Sequence, residues 1–552
     1  MKKYILTLAL LAFAFAGAWG AEEGFLKGKI LKIDKDVIIT ERGGNSLTLT
    51  LNGLNRESSI ALIDVLRALD KAASDDAIAM VYLNYDHFSA SQTSMEEIRE
   101  RLLKLSALGK PVIAYGASLG NGSYYIASAA DRVFLNPKGG GALTGLASTQ
   151  FFLKDLLDTL GVGVQLIRHG KFKSAGEMYI RNDISPENRL QYEELLGSVW
   201  NAMVADIAAS RGTTPEAINA ITDKLETGTA QAWLEAGLVD GLKYRDEMED
   251  YLCHLFGTDD PKSIQTVSLK DYASKLKKGP ASKKIAIIYA EGEIARSGSD
   301  LVGEKLAAQI EKVRKDESVK AVVFRVNSPG GEVVAADIIR REIELLGKEK
   351  PVVASYGSYA ASGGYLISAG CEHIFTDATT LTGSIGVFGM IPNLGKAIRK
   401  NLKITPVNIG TNDHSSMGSG MEPLSAEEEA WYQAEIEGIY DDFVGVVAAG
   451  RNMTAEQVDS IAQGRVWAGN DAIEIGLCDE KGGLMDAIRY AAAKAGLLNY
   501  RIVAIPEKEK TSLRSLTKGN KDDKDDPLVS LREMLETPGF NAYYLMPYII
   551  LN

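Results

Sequence analysis

Residues Ala321–Gly331 read AVVFRVNSPGG, a short apolar run that ends in a polar, glycine-rich turn. A helical pattern follows over Val333–Leu346, and a second apolar run, VVAS, occupies Val352–Ser355. Earlier in the chain, the apolar run Ile285–Tyr289 precedes a helical pattern at Gly303–Val313. Short apolar runs that alternate with helical patterns predict parallel strands joined by crossover helices. We therefore expect an α/β fold.

The chain repeats itself once, at a constant offset. PVIA at Pro111–Ala114 returns as PVVA at Pro351–Ala354, and 351 − 111 = 240. The same offset relates further pairs of identical residues: Tyr125 and Tyr365, Ser128 and Ser368, Arg211 and Arg451, Thr214 and Thr454, and Glu216 and Glu456. The repeat predicts two tandem domains of one fold, because a chain of 552 residues is too long for a single core.

The two copies differ at the positions where we expect chemistry. Gly122 in the first copy aligns with Ser362 in the second, and Lys173 in the first aligns with Asp413 in the second. The first copy therefore has a lysine without the serine, and the second has a serine without the lysine. We infer that the two copies assemble a single active site between them.

Changes in composition divide the chain into five expected segments. Lys2 and Lys3 precede an uncharged apolar run at Tyr4–Trp19, which is typical of a bacterial export signal. Whether this run is cleaved or stays as a membrane anchor, it predicts that the body of the chain lies outside the cytoplasm. The segments are the signal or anchor at 1–21, the first repeat at 22–276, a basic linker at 277–284, the second repeat at 285–505, and a charged tail at 506–552. The apolar end of that tail, Tyr543–Leu551, is expected to pack locally or to add a strand to a neighbouring subunit.

Two glycine-containing motifs of the second copy are candidates for catalysis. NSPGG at Asn327–Gly331 follows an apolar strand, and its glycines allow a tight turn whose N–H groups could stabilise an oxyanion. In YAASGGYL at Tyr359–Leu366, Ser362 opens a helical stretch, where the positive end of the helix dipole favours an alkoxide. The alternative is that Ser362 only caps this helix.

A lysine motif in the first copy, GKFKSAG at Gly170–Gly176, is the third candidate. A lysine acts as a general base only where burial lowers its pKa, and the small residues after Lys173 allow another domain to approach closely. Lys171 is the rival lysine within this motif. A further motif, LTGSIG at Leu381–Gly386, is either a β-turn or the source of a hydroxyl that orients the lysine amine.

The sequence lacks the motifs of other catalytic classes. None of its five histidines lies in a recognisable triad motif, and GxSxG, HExxH and phosphate-loop motifs are absent. A serine–lysine pair is the remaining arrangement for acyl transfer. The formal net charge of −12 argues against a nucleic-acid partner, because phosphate binding needs a basic surface.

Together these motifs resemble the signal peptide peptidase A family, in its long, duplicated form. The resemblance extends from about Leu54 to Ala495. The matching stretches are RVNSPGG at Arg325–Gly331, ASGGY at Ala361–Tyr365, LTGSIG at Leu381–Gly386, FKSA at Phe172–Ala175 and RNDISP at Arg181–Pro186.

The resemblance implies a role for each site residue. Ser362 is implied as the nucleophile, Lys173 as the general base, and Ser384 as the hydroxyl that hydrogen-bonds the lysine. The backbone N–H groups of Gly331 and Gly363 are implied as the oxyanion hole. The implied fold is the caseinolytic-protease/crotonase fold, here as two tandem βαβ domains, and neither a metal nor a cofactor is implied.

The resemblance also implies a biological setting. Long members of this family are homotetramers at the periplasmic face of the inner membrane, and they degrade signal peptides left after preprotein processing. The expected partners are therefore peptide substrates, the membrane and further copies of the chain. AWG at 18–20 has the pattern of a cleavage site, so a soluble periplasmic form is an alternative.

Two other functions remain as alternatives at this point. One is a crotonase-type acyl-thioester enzyme, which an exported chain disfavours because coenzyme A is cytosolic. The other is a non-catalytic, membrane-associated scaffold of the same fold, which the separate retention of Ser362 and Lys173 disfavours.

Overall fold

The structure, a computed structural model, describes residues 25–35, 37–50, 53–276, 281–298, 301–506 and 541–546. The expected signal or anchor at 1–21, residues 277–280 of the linker and most of the charged tail lie outside these ranges. Below, the first half means the described residues up to 276, and the second half means those from 281 onward.

The first half contains strands of a main sheet and of a smaller one, with helices between them. Its strands are β1 (Lys29–Ile33), β2 (Val37–Thr40), β3 (Gly44–Thr50), β4 (Gly53–Ala61), β5 (Ile78–Asn84), β6 (Phe88–Ser89), β7 (Val112–Leu119), β8 (Arg132–Gly141), β9 (Gly163–His169), β10 (Gly241–Leu242) and β11 (Thr266–Ser268). Its helices are α1 (Leu62–Ala73), α2 (Gln92–Ala107), α3 (Asn121–Ala127), α4 (Lys154–Leu160), α5 (Glu177–Ile180), α6 (Pro186–Arg211), α7 (Pro215–Asp223), α8 (Ala230–Glu235), α9 (Arg245–Phe256) and α10 (Leu269–Ser274).

The second half has the same alternation of strands and helices. Its strands are β12 (Lys284–Glu291), β13 (Ile294–Ala295), β14 (Leu301–Val302), β15 (Val319–Ser328), β16 (Gly330–Glu332), β17 (Val352–Ala361), β18 (His373–Thr376), β19 (Leu381–Gly383), β20 (Val387–Asn393), β21 (Val466–Ala468), β22 (Glu480–Lys481), β23 (Arg501–Ile505) and β24 (Asn541–Leu545). Its helices are α11 (Gly303–Lys315), α12 (Val333–Gly347), α13 (Gly363–Leu366), α14 (Gly395–Ala397), α15 (Ala426–Arg451), α16 (Ala455–Ile461), α17 (Gly469–Glu474) and α18 (Leu484–Lys494). Within the described ranges, every helix is too short or too polar to cross a membrane.

Each half is built on a mainly parallel sheet. The strand order is β10-β8-β7-β5-β1-β11 in the first half and β21-β19-β17-β15-β12-β23 in the second. Strand β15 is buried along almost its whole length because both faces of its sheet are covered. Val323 packs into a core that continues into the first half, whereas Val322 and Phe324 pack into a second core with residues of α11 and α12. The α/β fold predicted from the sequence is confirmed.

Three strands of the second-half sheet end at one edge. Strands β15, β17 and β19 are parallel neighbours, and they end at Ser328, Ala361 and Gly383. Because the carboxyl ends of parallel strands meet at the same edge of a sheet, the segments that follow them lie together. This geometry brings the turn before β16 close to Ser362 and Ser384.

A strand of the first half crosses into the second half. β9 pairs with β20 in antiparallel register, from Gly163 opposite Asn393 to His169 opposite Val387. The residues that follow β9 therefore begin next to the start of β20, which comes shortly after β19. The GKFKSAG motif is carried to the carboxyl edge of the second-half sheet in this way.

A buried ion cluster also joins the two halves. Arg325 on β15 donates from Nη2 to Glu41 Oε1 (2.9 Å) and to Glu97 Oε1 (3.0 Å), and from Nε to Glu41 Oε2 (2.9 Å). Its Nη1 donates to the Ser355 hydroxyl (2.8 Å) and to the Tyr356 carbonyl (2.6 Å) on β17. Removing one partner of such a buried cluster typically costs about 3–5 kcal/mol. The two carboxylates of the first half are thus held against the strands that carry the site.

Candidate active site

Lys173 lies in the loop between β9 and α5. Backbone hydrogen bonds fix this loop: the Phe172 N–H donates to the Gln463 carbonyl (2.9 Å), and Arg168 donates from Nη1 to the Lys173 carbonyl (2.7 Å). The lysine stem rests against Gly464, where an added Cβ would lie 2.6 Å from the Cβ of Lys173. Gly464 also has a φ of +80°. Only glycine leaves room for the lysine at this position.

Ser362 occupies a sharp turn between β17 and α13. Its φ of 54° and ψ of −116° are unfavourable for a residue with a side chain, at a cost of about 1–3 kcal/mol. Its N–H donates to the Gly383 carbonyl (2.8 Å), which anchors the turn to the end of β19. Helix α13 spans four residues, so the helix dipole contributes less at Ser362 than the sequence suggested.

The lysine and serine side chains meet at this edge of the sheet. Lys173 Nζ lies 2.7 Å from Ser362 Oγ. The same amine donates to the hydroxyl and to the backbone carbonyl of Ser384, each at 3.0 Å. All three side chains are fully buried. The structure thus brings together a lysine of the first half and two serines of the second.

The surroundings of Lys173 favour an uncharged amine. Burial lowers its pKa well below the usual 10.5, because the ammonium form loses its hydration. In the part of the chain that the structure describes, the contacts of the amine are with two hydroxyls and a carbonyl, without a carboxylate to stabilise the charge. A neutral amine has a free electron pair and can accept a proton from the Ser362 hydroxyl.

Backbone glycines lie beside Ser362. Gly330 and Gly331 have φ values of 108° and 153°, which L-residues with side chains rarely adopt. A Cβ added at Gly331 would collide with the Ile294 carbonyl, and one added at Gly363 would lie 3.2 Å from the Gly331 nitrogen. The backbone nitrogens of Gly331 and Gly363 are therefore close neighbours. Two N–H groups in this position can stabilise an oxyanion formed at Ser362.

Comparison with known proteins identifies the family. The family model of peptidase family S49 matches residues 104–255 and 344–498, one stretch in each half. The chain belongs to peptidase family S49. Because the S49 match occurs twice, the two tandem α/β domains predicted from the repeat are confirmed.

Three named relatives of this S49 chain, each matched over most of its length, are proteases. It is 35% identical over 457 residues to Protease 4 of Haemophilus influenzae, across 80% of this chain and 74% of the relative. It is 36% identical over 457 residues to Protease 4 of Salmonella typhi, across 80% and 73%. It is 33% identical over 500 residues to the chloroplastic serine protease SPPA of Arabidopsis thaliana, across 87% and 73%. The S49 chain is a serine protease, which disfavours both the acyl-thioester enzyme and the scaffold.

Other residues considered from the sequence lie away from this S49 site. Lys171 is exposed, and its Nζ lies 5.3 Å from the centre of the Phe172 ring instead of near Ser362. Asp413, the counterpart of Lys173 in the repeat, is exposed on a loop. Gly122, the counterpart of Ser362, is in α3 and has no hydroxyl. The contact with Ser362 therefore distinguishes Lys173 from Lys171, which the repeat does not, because Lys171 also aligns with a different residue, Thr411.

Gly464, which contacts the stem of Lys173, was not predicted from the sequence. In the repeat Gly464 aligns with Lys224, since 464 − 224 = 240. This difference between the copies could have identified Gly464 as a candidate site residue from the sequence.

Within the described residues, no group of three or more His, Cys, Asp or Glu side chains has the arrangement of a metal site.

Proposed function

We propose that this S49 serine protease uses Ser362 as its nucleophile and Lys173 as its general base. The observation that carries the proposal is the 2.7 Å contact between the Ser362 hydroxyl and a buried amine from the other half. Burial favours the neutral form of this amine, which is the form that can act as a base. The left-handed backbone at Ser362 also supports a functional role, because strained conformations concentrate at active sites.

The proposed reaction follows from these contacts. Neutral Lys173 takes the proton from Ser362 as the serine oxygen attacks the scissile carbonyl carbon. The N–H groups of Gly331 and Gly363 donate to the resulting oxyanion, and loss of one such donor typically costs about 3 kcal/mol. When the C–N bond breaks, the Lys173 ammonium returns its proton to the leaving amine. Neutral Lys173 then deprotonates a water that attacks the acyl-enzyme carbonyl, and the resulting ammonium returns that proton to the Ser362 oxygen as the ester C–O bond breaks, while Ser384 holds the amine in place.

We propose cleaved signal peptides as the substrates. The family resemblance supports this, as does the name of a relative from Enterococcus faecium, a putative signal peptide peptidase SppA that is 34% identical over 254 residues. The apolar run at Tyr4–Trp19 supports a location at the periplasmic face of the inner membrane. Membrane fractionation tests the location: recovery of the protein in the cytoplasmic fraction would contradict it.

We propose that the chain forms a homotetramer. Within each chain, we propose that the two repeats extend over residues 22–276 and 285–505. The loop after β20 and α14 supports self-association or a membrane contact, because Leu402, Val407 and Ile409 are exposed there. Light scattering on the purified chain tests the oligomer, and a monomer at micromolar concentration would contradict it.

Matched variants test the two catalytic roles. Ser362→Ala is expected to lower kcat on a fluorogenic peptide by about 10⁴-fold or more, and Lys173→Ala by about 10²–10⁴-fold, with the circular dichroism spectrum unchanged. Lys171→Ala is the control and should stay within about twofold, as an exposed lysine substitution usually does. Turnover by the Ser362 variant, or a larger loss at Lys171 than at Lys173, would refute the assignment.

The pH dependence gives an independent test of the base. Protonation of Lys173 at low pH removes the base, so kcat/KM should fall about tenfold per pH unit below the pKa of this lysine and level off above it. A fluorophosphonate probe should label Ser362 with the same pH dependence. A rate that stays constant down to the lowest pH at which the protein remains folded would contradict a lysine base.

A further inference from the structure

A buried carboxylate on α5 lies behind the loop that carries Lys173. Glu177 is only 1% exposed, although it bears a charge. Its Oε1 accepts a hydrogen bond from the Ser185 hydroxyl (2.6 Å), and its Oε2 accepts one from the Asn188 side-chain amide (3.2 Å). Arg168 of β9 donates from Nη1 to the same Oε1 (3.4 Å). Three residues from separate parts of the first half therefore donate to this one carboxylate.

Two of these donors also connect Glu177 to the lysine loop. Arg168 donates from the same Nη1 to the Lys173 carbonyl (2.7 Å). Asn188, whose amide group donates to Glu177, accepts at its Oδ1 from the Ser174 hydroxyl (2.8 Å). Because Ser174 directly follows Lys173, these contacts hold both the backbone of the lysine and that of its neighbour.

A further contact extends this arrangement to the second half. Gln191 Nε2 donates to Asn188 Oδ1 (3.4 Å), and Gln191 Oε1 accepts from the Val466 N–H (2.7 Å). Val466 begins β21 and lies two residues after Gly464, against which the stem of Lys173 rests. The lysine loop is thus fixed relative to the strand that encloses it. We call six residues the support network: Arg168, Ser174, Glu177, Ser185, Asn188 and Gln191.

The second copy has the corresponding helix without the support network. At the offset of 240, Ser185 aligns with Ser425, and each serine caps the long helix of its half through its hydroxyl. The other five positions hold different residues in the second copy, which are in chain order Asn408, His414, Met417, Glu428 and Trp431. The copy that lacks the lysine therefore keeps the helix cap and lacks the rest of the network. This difference favours a role that is tied to Lys173 over a role in folding alone.

We propose that Glu177 is a positioning residue for Lys173. Its buried carboxylate orients Arg168 and Asn188, and these hold the lysine loop so that the amine stays within hydrogen-bond distance of Ser362. A carboxylate suits this place because its oxygens only accept, whereas a glutamine amide would turn an N–H group toward one of the donors. This inference rests on the proposed function, because it takes Lys173 as the base.

Glu177→Gln tests the positioning role, because it keeps the size of the side chain and removes one acceptor oxygen. We expect kcat on a fluorogenic peptide to fall about 10–10²-fold, with KM within about twofold, since the amine is displaced while the peptide contacts remain. Each kcat is counted per site labelled by a fluorophosphonate at end point, so unfolded protein does not contribute. Glu193→Gln, the same substitution at an exposed position of α6, is the control and should match wild type within about twofold. An unchanged kcat for Glu177→Gln would overturn the proposal.

Combination with Lys173→Ala separates positioning from a general loss of structure. If Glu177 acts through the lysine amine, Glu177→Gln/Lys173→Ala should keep the residual kcat of Lys173→Ala within about twofold. An equal further loss in both backgrounds would overturn the proposal, because the carboxylate would then act independently of the lysine. Full activity of Lys173→Ala alone is a distinguishable failure, since it refutes the base itself and the positioning role with it.

Two helix-cap variants keep the proposal testable if Glu177→Gln does not fold. Ser185→Ala and Ser425→Ala each remove the hydroxyl that caps a helix of 26 residues, so both should lower the urea midpoint to a similar extent. Ser185 also donates to Glu177, so Ser185→Ala should lower kcat about 3–10-fold, whereas Ser425→Ala should leave it unchanged. Equal kcat values for the two variants would overturn the proposal.

Discussion

A neutral, buried lysine should leave a specific signature in the pH dependence of stability. We consider Lys173→Met, which keeps an unbranched side chain of similar length and removes the titrating amine. Both this variant and its parent carry Ser362→Ala, so that neither digests itself during the measurement. Because burial lowers the pKa of Lys173 in the folded state, unfolding lets the amine take up a proton at any pH between that lowered pKa and 10.5.

The sign and slope of the effect follow from this proton. Between the lowered pKa and 10.5, the unfolded parent binds one more proton at Lys173 than the folded parent, so its stability rises with pH by about 1.4 kcal/mol per unit. Lys173→Met lacks this dependence. The unfolding free energy of the variant minus that of the parent should therefore fall by about 2.7 kcal/mol as the pH rises by two units within that window. Loss of the hydrogen bonds to the Ser384 hydroxyl and carbonyl adds a nearly constant cost of about 1–3 kcal/mol.

The measurement is equilibrium unfolding in denaturant at pH 7, 8 and 9, followed by tryptophan fluorescence. Titrations elsewhere in the chain cancel in the difference between parent and variant. Lys171→Met is the control: its side chain is exposed, so its stability should follow that of the parent at each pH. The difference in unfolding free energy between Lys173→Met and the parent could instead stay constant from pH 7 to 9. This result would mean that the folded protein holds a protonated amine. Lys173 could not then be the base.

Three further variants test the parts around the dyad. Gly331→Ala places a Cβ against the Ile294 carbonyl, which displaces an oxyanion donor, and should lower kcat on the fluorogenic peptide about 10²–10³-fold. Gly347→Ala is the control, because its added Cβ has no atom within contact distance, and its kcat should match that of wild type. Ser384→Gly removes the hydroxyl that holds the Lys173 amine, and glycine tolerates the φ of 51° found at this position. This variant should have a kcat lower by up to about 10²-fold, and an unchanged kcat would exclude a positioning role for the hydroxyl. Arg325→Met leaves buried carboxylates unpaired and should lower the unfolding free energy by about 3–5 kcal/mol, and a loss below 1 kcal/mol would show that the cluster adds little.

The parallel sheets could be predicted from local apolar runs and helical patterns, and the meeting of the two halves from the complementary differences between the copies. Residues Ala321–Phe324 of β15 form a continuous apolar run, and the Ser362 and Lys173 positions differ between the copies when these are aligned. The pairing of β9 with β20 could not be predicted, because it joins residues more than 200 positions apart and depends on the packing of whole domains. The same holds for β24, whose apolar sequence fits either of the two placements expected for it.

The ion cluster also escaped the sequence analysis, for a different physical reason. Glu41, Glu97 and Arg325 are charged residues that are normally exposed, and each finds a partner only when the halves pack together. No periodicity marks them, since their partners lie on separate elements.

The division of the site between two halves has an electrostatic consequence. A lysine on a surface loop of the first half would be hydrated and protonated at neutral pH, and could not act as a base. It loses that hydration only where Gly464 and Ser384 of the second half close around it. Any change that lets water reach this junction should raise the pKa of Lys173 back toward 10.5 and move the acid limb of the rate profile to higher pH. The ion cluster around Arg325 also holds the halves together, so its loss should appear in the pH profile as well as in stability.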